Sequence, residues 1–165
     1  MNASMNSLPT SLRTASLGFT LIELMVTIAV LAIIVSIAAP SISTQLANQR
    51  VKSTAATLEN ALKEAKVESV IRRQDIRVVY NNSAKTIVLQ NTSGTVLATY
   101  NVNSTSTVSI NPNTVTAVTF QPNKVTSNVG KVTYTICDSS AVVTPRQIEV
   151  NTVASISNKK LGGTC

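Results

Sequence analysis

Residues 24–39 read LMVTIAVLAIIVSIAA, a run without a single charge, and no other part of the chain restricts the fold as strongly. Extending the run back to Phe19 adds one ionisable side chain, Glu23. A helix needs about 20 apolar residues to span a bilayer, so the stretch has the length of a single membrane span. A core helix apolar on every face would be out of proportion to a chain of 165 residues. The same run also fits the apolar region of a secretory signal peptide, with Ser36, Ile37 and Ala38 as a small-x-small cleavage pattern. The long polar stretch ahead of the run, its single Arg13 and the carboxylate of Glu23 weigh against that alternative. Flanking charge does not orient the span, because Arg13 lies on one side and Arg50 and Lys52 on the other. A carboxylate in a membrane helix costs about 2.5–3.5 kcal/mol at the centre and less toward the interface, so Glu23 is either a functional residue or one that sits in water at headgroup level.

The residues around Glu23 are Gly18-Phe19-Thr20-Leu21-Ile22-Glu23-Leu24. This segment resembles the processing site of type IV pilins and type II secretion pseudopilins. The resemblance joins a Gly before the cut, a Phe that becomes the new amino terminus, a Glu four residues later, and an apolar helix that ends near Pro40. It implies that a prepilin peptidase cleaves after Gly18 and methylates the amine of Phe19. It further implies that Glu23 pairs with the amino terminus of a neighbouring subunit and so sets subunit register. Leu17 departs from the pattern, since such leaders often carry a basic residue there, and the leader is long unless translation starts at Met5.

Past Pro40 the periodicity becomes that of an amphipathic helix. Val51, Ala55, Leu58, Leu62 and Ala65 recur at intervals of three and four among Lys52, Glu59, Lys63, Glu64 and Lys66, giving one apolar stripe that ends near Arg72 and Arg73. Glu59 with Lys63 reads as a favourable solvated pair, and Glu64 with Glu68 as an unfavourable one. A kink is expected at Pro40. Beyond Gln74, runs rich in Val, Ile and Thr predict strands at 76–80, 86–90, 95–102, 107–110, 115–120, 131–137, 146–150 and 154–157. Asn81-Asn82-Ser83 and Asn91-Thr92-Ser93-Gly94 are hairpin signals, while Asn111-Pro112-Asn113 and Gln121-Pro122-Asn123 punctuate later strands. The expected fold is α+β: a long N-terminal helix, half membrane-spanning and half amphipathic, packed on an antiparallel β domain. The expected divisions are a leader at 1–18, an apolar helix at 19–40, an amphipathic half at 41–74 and a β domain at 75–165.

This order is similar to the minor pilins and pseudopilins of the GspH/FimT/FimU group, in which a long helix precedes two antiparallel sheets. Over the β domain the similarity rests on strand spacing, on 118–123 (VTFQPN), and on 134–138 (YTICD) with a C-terminal Cys165. A domain exported in this way leaves the reducing cytoplasm, so Cys137 and Cys165 are expected to form a disulfide that fastens the tail 159–164 to the sheet.

Composition excludes much chemistry. Without His there is no Ser-His or Cys-His nucleophile pair and no imidazole ligand, and two Cys do not make a Cys-only zinc site. Asp75, Asp138 and Glu149 are far apart in sequence, so no carboxylate pair is legible. The reading is therefore a non-enzymatic assembly subunit without metal or cofactor. By resemblance it is a minor pilin of the FimU/FimT type that helps initiate or tip a type IV pilus, or the corresponding secretion pseudopilin. The implied partners are major and minor pilins, the prepilin peptidase and an inner-membrane assembly platform. The implied location is a single pass through a bacterial inner membrane with the C-terminal domain in the periplasm, then the filament. The formal charge is +7 but the cations are scattered. Some FimT-type pilins bind DNA through a Gly-Arg-x-Arg motif, and the matching strand at 148–156 (IEVNTVASI) lacks it. Arg146, Lys159 and Lys160 remain as weak phosphate contacts, which makes nucleic acid a possible but unfavoured partner.

Overall fold

The computed structural model describes residues 18–139 and 142–165, with side chains at 38–41 left out. The expected leader, apart from Gly18, and the Pro40 side chain lie outside the described residues. The chain divides into two units, Met1–Ala38 and Ala39–Cys165. One helix, α1 (Leu21–Arg72), contributes to both.

Within the second unit the helix buries Ala47, Val51, Ala55, Leu58, Ala61, Leu62 and Ala65, together with Thr54 and Ser69. These positions recur every three or four residues and form one face, which contains the whole stripe expected from sequence. The helix ends where Arg73 turns left-handed at φ 53°. The Gln74 amide then donates to the Ser69 carbonyl at 3.2 Å, a Schellman closure made without glycine.

The strands are β1 (Ile76–Asn81), β2 (Thr86–Asn91), β3 (Val96–Asn101), β4 (Ser106–Asn111), β5 (Ala117–Phe120), β6 (Val132–Asp138), β7 (Arg146–Val150) and β8 (Ile156–Lys160). They form two four-stranded sheets, ordered β3-β2-β1-β5 and β4-β6-β7-β8. Every pairing is antiparallel. Inward residues alternate as the two-residue period of a strand requires: Ile76 and Val78, Ile87 and Leu89, Ile148 and Val150 are all buried. With Val118, Phe120, Val132, Tyr134 and Ile136 they complete one core against the helix stripe. Burial also pushes the Tyr134 hydroxyl pKa well above its ordinary value.

The last expected strand is displaced. It begins at Ile156 rather than Ala154 and extends to Lys160, because Ala154 is a turn residue at φ 53°. The turn repeats, bond for bond, the one that joins β2 to β3. Asn91 Oδ1 accepts from the Thr95 amide at 2.8 Å, with Gly94 at φ 85°, and Asn151 Oδ1 accepts from the Ser155 amide at 2.8 Å, with Ala154 in the glycine's place. Glycine advertises the first turn and alanine hides the second. Lys159 and Lys160 are consequently strand residues and not part of a free tail.

Polar bonds lock the helix to both sheets. Thr54 and Ser106 share a buried hydroxyl pair at 2.8 Å, Lys66 Nζ donates to the Ala154 carbonyl at 2.8 Å, and Asn158 Nδ2 donates to Glu59 Oε2 at 2.7 Å. Glu59 is thus not simply solvated, and its pKa is lowered by Lys63 first and Asn158 second. The Glu64 and Glu68 repulsion is divided between separate partners, since the Tyr100 hydroxyl donates to Glu64 and Arg72 pairs with Glu68. Thr54→Val should cost about 1–3 kcal/mol, because it strands the buried Ser106 hydroxyl, whereas Thr54→Val with Ser106→Ala should recover most of that loss. A denaturant double-mutant cycle measures both, and additive losses would show that the hydroxyl pair has no energetic coupling.

Candidate functional site

Gly18, Phe19 and Thr20 precede the helix, and Phe19 is 79% exposed. Among the described residues, a Cβ on Gly18 would meet nothing within 4 Å. Their packing therefore places no demand for glycine at this position. Thr20 is the N-cap: its Oγ1 accepts from the Glu23 amide at 3.2 Å, and its carbonyl accepts from the Leu24 amide at 3.2 Å. Thr20-Leu21-Ile22-Glu23 has the Thr-x-x-Glu spacing of a capping box, with Glu23 in the first turn, where a negative charge complements the helix dipole.

From Phe19 to Ile37 the first unit is apolar around its whole circumference. Ile22, Leu24, Met25, Val26, Ile28, Val30, Leu31, Ile33, Ile34, Val35 and Ile37 are each at least half exposed, and no face carries the charges of a surface helix. Among the described residues no single helix is long and apolar enough to cross a membrane, but Leu21–Ile37 and Ile42–Arg72 taken together could by length and composition. A helix apolar all round is stable only when covered by lipid or by protein.

In the second unit Cys137 of β6 is bonded to Cys165, with Cα atoms 5.9 Å apart. The tail is tied further by the Cys165 amide to the Val143 carbonyl and the Leu161 amide to the Pro145 carbonyl, both at 3.0 Å. Next to the disulfide, the Asp138 carboxylate is fully buried, accepts from Thr105 Oγ1 at 2.7 Å and lies 3.7 Å from the Arg50 guanidinium. Among the described residues no group of His, Cys, Asp or Glu is placed to hold a metal.

The three cations read as phosphate contacts do not act together. Arg146 and Lys160 are cross-strand partners on β7 and β8. Lys159, one residue away, points to the other face and pairs with Glu149 at 3.2 Å, which also meets Lys131 at 3.4 Å. Those two lysines hold the half-buried Glu149 carboxyl below its usual pKa, Lys159 most strongly. Sequence reasoning missed Lys52, which joins Arg146 and Lys160 at a cavity between α1 and the β7–β8 edge. Its helical spacing from Gln45 and Asn48 was visible, but the strands it faces were not.

The family description for type II transport protein GspH matches residues 54–154, more than half of the chain. The chain belongs to the GspH family. A prokaryotic N-terminal methylation motif matches residues 13–39, across Gly18, Phe19 and Glu23. No curated protein sequence matches the chain. The GspH-family fold is shared by the type IV minor pilin FimU of Pseudomonas aeruginosa strain PAO1. One crystal structure of FimU has TM-score 0.60 and 19% identity over 71% of this chain and 93% of that one. A second crystal form of FimU gives TM-score 0.58 and 20% identity over 69% and 96%. The minor pseudopilin EpsH from the type 2 secretion system of Vibrio cholerae gives TM-score 0.53 and 8% identity over 69% and 99%. At these identities the likeness concerns the pilin-like fold.

Proposed function

We propose that this GspH-family protein is a minor pilin of the FimU type, a structural subunit that enters a type IV filament at initiation or at its tip. The observation that carries the reading is the exposed, wholly apolar helix headed by Gly18, Phe19 and a carboxylate at Glu23. Before assembly lipid covers that helix, and afterwards neighbouring pilins do, each buried Val, Leu, Ile, Phe or Met gaining about 1.5–3 kcal/mol. The prepilin peptidase cuts after Gly18, which explains a glycine that the packing of the described residues does not need. The subunit then waits as a single-pass protein of the inner membrane, its β domain in the periplasm, until an assembly platform moves it into the filament. Its work is assembly and not catalysis. A secretion pseudopilus is the second reading, favoured by the name of the matching family and by the fold of EpsH.

Mass spectrometry of the mature protein tests the cut. Removing residues 1–18 from the 165 leaves 147, and the expected amino terminus is N-methylated Phe19. A mature protein beginning at Ala39 would overturn the filament reading and restore secretory cleavage.

A further inference from the structure

We infer that the second unit holds a phosphoryl-anion site formed by Lys52, Arg146 and Lys160, in a cavity of about 280 Å³. The inference does not depend on the filament proposal. One wall is helical: Asn48 and Gln49 lie three and four residues from both Gln45 and Lys52, so the four share a face of α1. The opposite wall is the β7–β8 edge, where register sets Arg146 directly across from Lys160, so both side chains leave the same face of the sheet. Val51 is buried beneath, and Asn48 Oδ1 accepts from the Thr144 amide at 3.1 Å, fixing the distance between the walls.

The charge distribution is what singles this cavity out. Three cations line it and no carboxylate does. Among the described residues neither Lys52 nor Lys160 makes an ion pair or side-chain hydrogen bond. Arg146 donates Nη1 to the neutral Asn158 amide oxygen at 3.3 Å, and Glu59, which Asn158 also bonds, feels the Arg146 charge but forms no ion pair with it and stands outside the cavity lining. By contrast, Lys63 is matched with Glu59, and Lys131 and Lys159 with Glu149. Three like charges around one hollow repel each other, and a compact dianion removes that repulsion. The guanidinium fork suits two oxygens of a phosphoryl group, and two ammonium groups supply point charge. The source is either free phosphate or the headgroup of an anionic phospholipid, since both present at least two anionic phosphoryl oxygens.

Calorimetric titration of the full chain in neutral detergent with sodium phosphate, against sodium chloride at equal ionic strength, tests the site. Saturable binding of one phosphate per chain is expected. Lys52→Ala, Lys160→Ala and Arg146→Gln should each weaken it about tenfold, while Lys159→Ala, on the other face, should leave it unchanged. The altered lysines are exposed, and thermal melts in phosphate-free buffer identify any variant that misfolds. Should Arg146→Gln do so, the two lysine variants carry the test. Glycerophosphoglycerol, a soluble phospholipid headgroup, separates the sources: tighter binding than phosphate assigns the site to lipid, and equal or weaker binding assigns it to the free anion. No saturable heat beyond chloride, or an equal loss in Lys159→Ala, would overturn the inference. So would binding of a short DNA duplex through these residues with neither small anion bound, which would indicate a polyanion surface and not a pocket.

Discussion

Glu23→Gln is expected to leave membrane insertion intact and to abolish incorporation of the subunit into filaments. Removing the charge makes residues 19–37 more apolar, so insertion has nothing to lose. The amide of residue 23, which donates to Thr20 Oγ1, belongs to the backbone and survives the substitution, so the start of α1 keeps its cap. What disappears is the negative charge alone. An uncompensated carboxylate in an apolar filament core is strongly disfavoured, whereas one facing the Phe19 ammonium of a neighbour is compensated, so in the proposed filament it is the charge that is expected to specify register. Thr20→Ala is the matching control, because it removes the cap, at a cost of about 1 kcal/mol, and keeps the charge. Quantitative immunoblots of membranes and of sheared filaments measure the outcome. Wild-type amounts of Glu23→Gln in the filament fraction would remove Glu23 from the assembly role.

Replacing both Cys137 and Cys165 by serine should destabilise the chain by about 3–4 kcal/mol, the loop-closure entropy of a crosslink spanning a separation of 28 residues. For a unit of this size that corresponds to a fall in Tm on the order of 10–15 °C. The loss is local in origin, because the bond closes the tail onto β6 beside the buried Asp138 carboxylate, and release lets water reach Asp138 and its Arg50 partner. Circular dichroism melts of the full chain, unreduced and reduced, should differ by the same amount as wild type and the double variant. Thiol titration should find no free thiol before reduction. Two free thiols in the unreduced protein, or a change in stability below about 1 kcal/mol, would mean that the crosslink does not hold the tail in solution.

Features set by a regular period, or by a turn residue that announces itself, are legible in the chain. The stripe through Val51, Ala55, Leu58, Leu62 and Ala65 is legible because a helix places every third or fourth residue on one side, and all five are buried. The strand runs from Ile76 to Val150 are legible because Asn and Gly mark the turns between them. The head of α1 is legible because the methylation motif, the Thr20 cap and the Glu23 charge all fall within a few consecutive residues.

Tertiary structure alone decided what depends on register between distant segments. Ala154 in a left-handed turn moved β8 two residues along, and a shift in strand boundary changes which lysine faces which partner. That register placed Lys160 beside Arg146 and sent Lys159 to Glu149, dividing two neighbours that look equivalent in sequence. Lys52 enters the same cavity across a gap of more than ninety residues, a distance over which no spacing rule operates, so its role exists only once the helix is packed on the sheet.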